Sequence, residues 1–295
     1  MVNRPVWLPH EQRYIDAEPG DGVARDRNPF RDHPLTRYEW AWDELAGSPG
    51  PHLDVGCNAG ALVAALHRCR DRTVVGVDVN RALLEMLRSH EPGALAVRVG
   101  PRDPLPFADG TFATATLLDV AEHVPDEHAL LREVARVLAP GGRLYLSVPA
   151  AHVFSVMDPD NLKLRWPALH RAVWRLRRGR RAQQREAAAQ HAVPGMIGDV
   201  AVERDEHTNF RPEVIVAALE GAGLRVVAQE GSGLFFRWLQ IPALVLPGAA
   251  GRTAERLMIA DAHRFAGPPG RGIRRRANLF VTAVKPDQGA PQARL

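Results

Sequence analysis

Residues 51–60, PHLDVGCNAG, constrain this chain most strongly: a short apolar run stops at a glycine-punctuated turn, and the helical pattern ALVAALHRCR begins at once. Gly56 and Gly60 keep side chains out of the turn, so a ligand can approach the backbone. The first N–H groups of the following helix have no intrahelical acceptor and can serve ligand oxygens. The next run, TVVGVD at residues 73–78, reads as a second buried strand with an acidic last residue. Folds of this type place a carboxylate on a ribose about 20 residues beyond the glycine turn, which makes Asp78 the ribose-binding candidate.

Two classes of nucleotide-containing cofactor use this arrangement. In the dinucleotide fingerprint GxGxxG, the second glycine lets the backbone close on a pyrophosphate. Here that position is Asn58, whose side chain disfavours a pyrophosphate and leaves room for an amino acid joined to a nucleoside. The run LDVGCNAG followed by VVGVDVN resembles the first two motifs of class I methyltransferases, whose cofactor is S-adenosylmethionine and whose product is S-adenosylhomocysteine. LLDVAEHV followed by LLREVARVLAPGGRLYLSVP is similar to the long motif of small-molecule and sugar methyltransferases in that class, down to the Pro-Gly-Gly turn at 140–142. The resemblance covers residues 50–149, about a third of the chain.

The resemblance implies a Rossmann-like α/β fold: a mostly parallel sheet of order 3-2-1-4-5-7-6 with an antiparallel last strand, helices on both faces, and an inserted lid. It implies cofactor contacts at Asp54, Gly56, Cys57, Asn58, Gly60, Asp78, Val79, Arg102, Leu118 and Asp119. One segment departs from the family. In GPRDPLPFADGTF, the position four before Leu105 is Pro101 where the family has aspartate, and Asp103 stands two residues later. Arg102 is left to stack on an adenine ring or shield it.

Taken in order, residues 1–34 form an arm rich in proline, glycine and charge, and 35–149 the cofactor-binding core. Residues 150–211 are an inserted substrate lid, 212–286 complete the core with an edge hairpin and its own insertion, and 287–295 are a tail. In the leading helix at 35–46, Tyr38, Trp40 and Trp42 read as core, with capping of a cofactor as the other reading. Asn80 caps a helix over 81–90, strands follow at 94–99 and 113–118, and the last two strands are read at 224–236 and 277–285. Between those two, 233–246 is apolar and includes Trp238, suited to closing a pocket or to a dimer or membrane-surface contact.

The candidate bases are His123, in the EHV run after the fourth strand, and His207, in VERDEHTNFR. The second run resembles the border of the acceptor pocket in sugar and natural-product methyltransferases. Asp158 is the third catalytic candidate; with Asp160 it can orient sugar hydroxyls or hold a divalent ion, and a capped turn DPDN explains both without function. No bound metal is expected. The implied reaction is O-methylation of a glycan, glycoside or secondary metabolite; N- or carboxyl-directed transfer, and a noncatalytic scaffold for an anionic partner, are the alternatives.

Composition narrows the partners. Seven arginines within 171–185 and four within 271–276 form basic patches on a chain of net charge +4, but no aromatic ladder accompanies them, which argues against nucleic acid. Cys57 and Cys69 have neither disulfide-framework nor zinc spacing and read as reduced thiols. With no apolar leader and no unbroken spanning run, the expectation is a cytoplasmic monomer or homodimer.

Overall fold

The computed structural model of the chain describes residues 28–31, 36–70, 72–151, 209–246, 248–267 and 276–287. The leading helix α1 (Thr36–Glu44) is followed by β1 (His52–Val55), α2 (Ala61–Arg70), β2 (Val74–Asp78), α3 (Arg81–His90), β3 (Leu95–Arg98) and β4 (Phe112–Leu118). Then come α4 (Glu127–Val137), β5 (Leu138–Pro149), α5 (Pro212–Gly221), β6 (Arg225–Ser232), α6 (Phe236–Val245), α7 (Gly248–Arg264) and β7 (Asn278–Val284). The strands form one sheet of order β3-β2-β1-β4-β5-β7-β6, as expected. The first five run parallel, and β7 lies antiparallel between β5 and β6.

Side-chain alternation along the strands sorts the sheet into two faces. Leu53, Val55, Val75, Val77, Ala115 and Leu117 join one apolar cluster with Leu131 and Val134 of α4 and Ile215 of α5. Residues two apart in the other phase meet α1, α2 and α3, where Trp42, Leu62, Leu66, Leu84, Leu87 and Tyr145 form the second cluster. Covering both faces is what allows near-continuous apolar strands in a parallel sheet. The α1 aromatics belong to this core: Tyr38 and Trp42 pack on Phe30, and Trp40 stacks on Phe280 with ring centroids 4.9 Å apart.

Local signals place the helix starts. The Asn80 side chain accepts from the Ala82 and Leu83 N–H groups at 3.0 and 3.3 Å, and Asp126 accepts from Ala129 at 2.8 Å. The strand expected over 224–236 ends earlier, at Ser232. Gly233 turns the chain at φ 68°, and the Asp261 carboxylate of α7 accepts from the Leu234 and Phe235 N–H groups, so α6 begins where the sequence pattern still reads as strand. The described residues between β6 and β7 thus include a helical pair, with Trp238 half-exposed on α6. No described helix is long and apolar enough to cross a membrane.

The loop after β3 is tied down from α4. Arg136 donates to the Leu105 and Phe107 carbonyls, each at 2.8 Å, and Glu133 accepts from the Leu105 N–H at 2.8 Å. Chiefly through its hydrogen bond from Arg136, Glu133 is held below the ordinary carboxylate range. Arg136→Met is expected to destabilise the fold by about 2 kcal/mol, since it strips two loop carbonyls of a charged donor. Urea unfolding with an unchanged slope would register that difference.

Candidate active site

The carboxyl ends of three adjacent strands bring the site together. Parallel register sets Asp54 of β1 opposite Gly76 of β2 and Thr116 of β4, so Asp54, Asp78 at the end of β2, and Asp119 just after β4 form an arc. Gly56, Cys57, Asn58 and Gly60 lie in the turn after β1, Val79 follows β2, and Leu118 ends β4. Of the expected cofactor contacts, Arg102 stands one strand further out, exposed on the loop after β3. In that loop Asp103 accepts from the Gly100 N–H at 3.1 Å.

The glycine turn is demanded first by the fold. Gly56 has φ 74°, and a Cβ there would stand 2.3 Å from Cγ2 of Val120; Gly60 has φ 82°, and its Cβ would stand 2.4 Å from Cδ1 of Leu87. The Cys57 thiol is buried over Gly76, so the turn offers this residue's backbone to a ligand. Asn58 occupies the left-handed region at φ 55°, and its Oδ1 accepts from the Ala59 N–H at 2.6 Å. Asp78 then pins the turn: it accepts from the Asn58 N–H at 2.9 Å and from the Asn80 N–H at 2.8 Å. Burial raises its carboxyl above the ordinary value, and the hydrogen bonds oppose that shift.

Asp119 is also held by elements far apart in the chain. Arg37 of α1 donates to its Oδ2 at 2.7 Å, and the Ser147 hydroxyl of β5 donates to its Oδ1 at 2.5 Å. Burial favours the neutral acid, yet Arg37, Ser147, Arg237 and His123 together keep Asp119 below the ordinary range. Glu122, three residues on, is buried and behaves oppositely: burial first, and the Asp119 charge second, push its carboxyl well up. His123 Nε2 lies 3.9 Å from Glu122 Oε1, with the imidazole partly exposed. His207 and Asp158 lie outside the described residues.

Arg37, Ser147 and Arg237 were not singled out from the sequence. The sequence held no pointer from Asp119 to Arg37, which stands 82 positions away among aromatic residues. Arg237, buried on α6, had no such pointer, since its neighbours are apolar and read as strand. Among the described residues no cluster of His, Cys, Asp and Glu has the make-up of a metal site.

Burial also governs Asp54 and its neighbour on β1, His52. It pushes Asp54 up to about 7, and it pushes His52 down to about 3. From 3.8 to about 7 the fold holds a proton on Asp54 that the unfolded chain releases, so this group makes stability fall as pH rises. From about 3 to 6.5 the unfolded chain holds a proton on His52 that the fold excludes, so His52 makes stability rise with pH. The slopes oppose each other over the shared window. Relative to the parent, Asp54→Asn is expected to gain about 1.4 kcal/mol per pH unit between about pH 4 and 6, and His52→Val to lose as much. Urea midpoints at three pH values distinguish the two signs.

Comparison with known proteins agrees with this geometry. Residues 53–146 match a family model described as a methyltransferase domain. The ubiquinone biosynthesis O-methyltransferase of Pseudomonas paraeruginosa is 34% identical over 157 residues, which span 50% of this chain and 64% of that protein. Its counterpart from Xanthomonas euvesicatoria is 34% identical over 157 residues, spanning 50% of this chain and 62% of the other. The chain thus spans less than two thirds of the length of the curated relatives it matches. Among solved structures, the [4+2]-cyclase SpnF shares the fold at a TM-score of 0.54 with 15% identity, covering 95% of this chain and 93% of its own. Geranyl diphosphate methyltransferase, solved with GPP and sinefungin, gives 0.52 with 17% identity, covering 93% and 86%. Residues 53–146 are thus similar to a methyltransferase domain, whose cofactor is S-adenosylmethionine, and the solved structures share the fold.

The residues present fit that cofactor. S-Adenosylmethionine carries a sulfonium and an ammonium, and the strand ends present Asp54, Asp78 and Asp119 with Arg37 committed to Asp119. Such an arc suits a cation and repels a pyrophosphate. Asp78 retains lone pairs for ribose hydroxyls beyond the two N–H groups it accepts. When bound, the cofactor supplies a methyl group already activated by its sulfonium.

Proposed function

We propose that the chain transfers a methyl group from S-adenosylmethionine to an oxygen of a small-molecule acceptor, a glycan, glycoside or other secondary metabolite. The observation that carries the reading is the arc of carboxylates at the ends of β2, β1 and β4, anchored on the glycine turn, which complements a cationic nucleoside cofactor. Oxygen as the target draws support from the curated relatives, which are named O-methyltransferases of ubiquinone biosynthesis.

In this reading Asp78 accepts the ribose hydroxyls, the backbone of residues 56–60 admits the methionine end, and Val79, Leu118 and Arg102 border the nucleoside. Asp119 faces the reacting end with its charge kept by Arg37. His123 Nε2 takes the hydroxyl proton as the acceptor oxygen attacks, and that general-base assistance contributes about 10²–10⁴-fold. Alignment of acceptor and methyl, with water excluded, supplies the remainder. His207 and Asp158 stay candidates for the acceptor side.

The test is incubation with methyl-labelled S-adenosylmethionine and fractionated extract of the producing cells. Label in a small polar or saccharide fraction is expected, with at least tenfold slower single-turnover transfer for His123→Ala at unchanged cofactor affinity. Label in RNA or protein would overturn the acceptor class. Cofactor binding without transfer to any fraction would favour a noncatalytic binding protein built on the same fold.

A further inference from the structure

A row of buried polar groups leads to Asp54 of the arc, and the proposed transfer gives no role to its other members, His52, Thr114 and Thr116. His52 and Asp54 alternate onto one face of β1, and the register sets His52 opposite Thr114 and Asp54 opposite Thr116. His52 Nδ1 lies 2.8 Å from the Thr114 hydroxyl and Nε2 3.0 Å from the Thr116 hydroxyl. Thr116 donates onward to Asp54 Oδ1 at 2.6 Å. His52 and Thr116 are 0% exposed, and Asp54 only 4%.

The single hydroxyl proton of Thr116 points at Asp54, so with Asp54 ionised the donor between His52 and Thr116 is the ring. Nε2 carries the proton, and Nδ1 accepts from Thr114. The three hydrogen bonds of the row thereby run in one direction, from Thr114 towards Asp54. Elsewhere on these strands the interior is apolar, and buried polar networks add little stability over well-packed apolar side chains. The row therefore serves its last member, the carboxylate at the strand end beside the glycine turn.

We infer that His52 and Thr116 are positioning residues that fix Asp54 as an acceptor for the cationic cofactor. The inference rests on the methyltransferase reading above. Thr116 occupies Oδ1 and orients the carboxylate so that Oδ2 remains for the ligand; His52 keeps Thr116 from donating elsewhere. The charged and titratable groups facing Asp54 are Asp78 from β2, Arg37 from α1 and the Cys57 thiol in the turn. After burial, the Thr116 hydrogen bond is the first influence on Asp54, and it favours the charged form; Asp78 opposes it and Arg37 assists. Loss of the Thr116 hydroxyl leaves Asp54 neutral over a wider pH range, and a neutral acid does not complement a cation.

The test measures S-adenosylmethionine affinity by calorimetry from pH 6 to 9, without acceptor. For the parent, affinity is expected to rise up to tenfold per pH unit below about 7 and then level off. Thr116→Val is expected to move that midpoint upward by about one unit, weakening binding about fivefold at pH 7 and by a negligible factor at pH 9. Thr116→Ser is expected to restore the parent profile, and His52→Val to shift it in the same direction as Thr116→Val. A merely structural role would lower affinity equally at every pH, so an unmoved midpoint overturns the inference while the cofactor reading stands. No binding by the parent at any pH overturns both. Independently of the cofactor, nitrogen-15 spectra of the histidines at pH 8.5 should show His52 as the neutral Nε2–H tautomer; the Nδ1–H tautomer, or an imidazole titrating near 6.5, overturns the row itself.

Discussion

Asp78→Ala is expected to weaken S-adenosylmethionine binding by at least a hundredfold, the largest single effect at this site. The carboxylate accepts from the N–H of Asn58 in the turn after β1 and from that of Asn80 in the turn after β2, so one side chain ties together the two segments that border the proposed nucleoside site. Each such charged hydrogen bond contributes about 1.5–3 kcal/mol, and about 1.4 kcal/mol corresponds to a tenfold change in affinity. Losing both releases Asn58 from a left-handed conformation that few non-glycine residues adopt, and also removes the ribose acceptor. Asp78→Asn keeps an acceptor oxygen for one of the two N–H groups and should fall between alanine and the parent. Calorimetric titration of both variants, with thermal unfolding alongside, checks the order. If the alanine variant bound within fivefold of the parent, the ribose assignment would be wrong.

The second large effect is on stability. Arg37→Met is expected to destabilise the fold by about 3 kcal/mol at neutral pH, because it leaves the Asp119 charge in a largely buried position with Ser147 as its remaining close donor. The sign of the pH dependence follows from the same contact. Asp119 lies below its ordinary pKa in the fold, so its contribution is present above the unfolded value of 3.8 and lost as pH falls through the folded one. Removing Arg37 lets the carboxyl rise, so the difference between variant and parent should shrink on acidification from pH 7 to 4. Asp119→Asn should behave more mildly, since it replaces the anion with a neutral group of the same shape, and the double variant should be less than additive. Urea midpoints for the four proteins give the coupling directly. Additive losses would show that Arg37 and Asp119 act independently.

The two predictions fall on opposite sides of what the chain reveals when read alone. Asp78 was legible: it ends an apolar run at a fixed distance from a glycine turn, and the structure finds it holding that turn. The Asn80 cap and the antiparallel edge were legible for the same reason, since each is a local preference or a pattern of short period, whereas the Pro-Gly-Gly turn expected before the fifth strand lies within β5. Arg37 was overlooked among the aromatic residues of TRYEW, and its partner is 82 positions away. The strand read over 224–236 was carried past Ser232 into the turn and the first residue of α6, because a short apolar run satisfies either element, and the deciding contact, from the Asp261 carboxylate, comes from a residue 27 positions later.

His52 illustrates the boundary most sharply. A histidine within a buried parallel strand, and threonines alternating at 114 and 116, were visible anomalies, yet nothing in the order of residues says that they meet. The sequence by itself determined the strand-to-helix turn, the caps, the acidic strand ends and hence the class of fold, because those follow from backbone stereochemistry and side-chain period. Only the tertiary structure decided which charges pair, which carboxyls stay neutral and which face of the sheet the polar row occupies. Those properties depend on burial and on through-space distance between segments, and both exist only once the sheet has assembled.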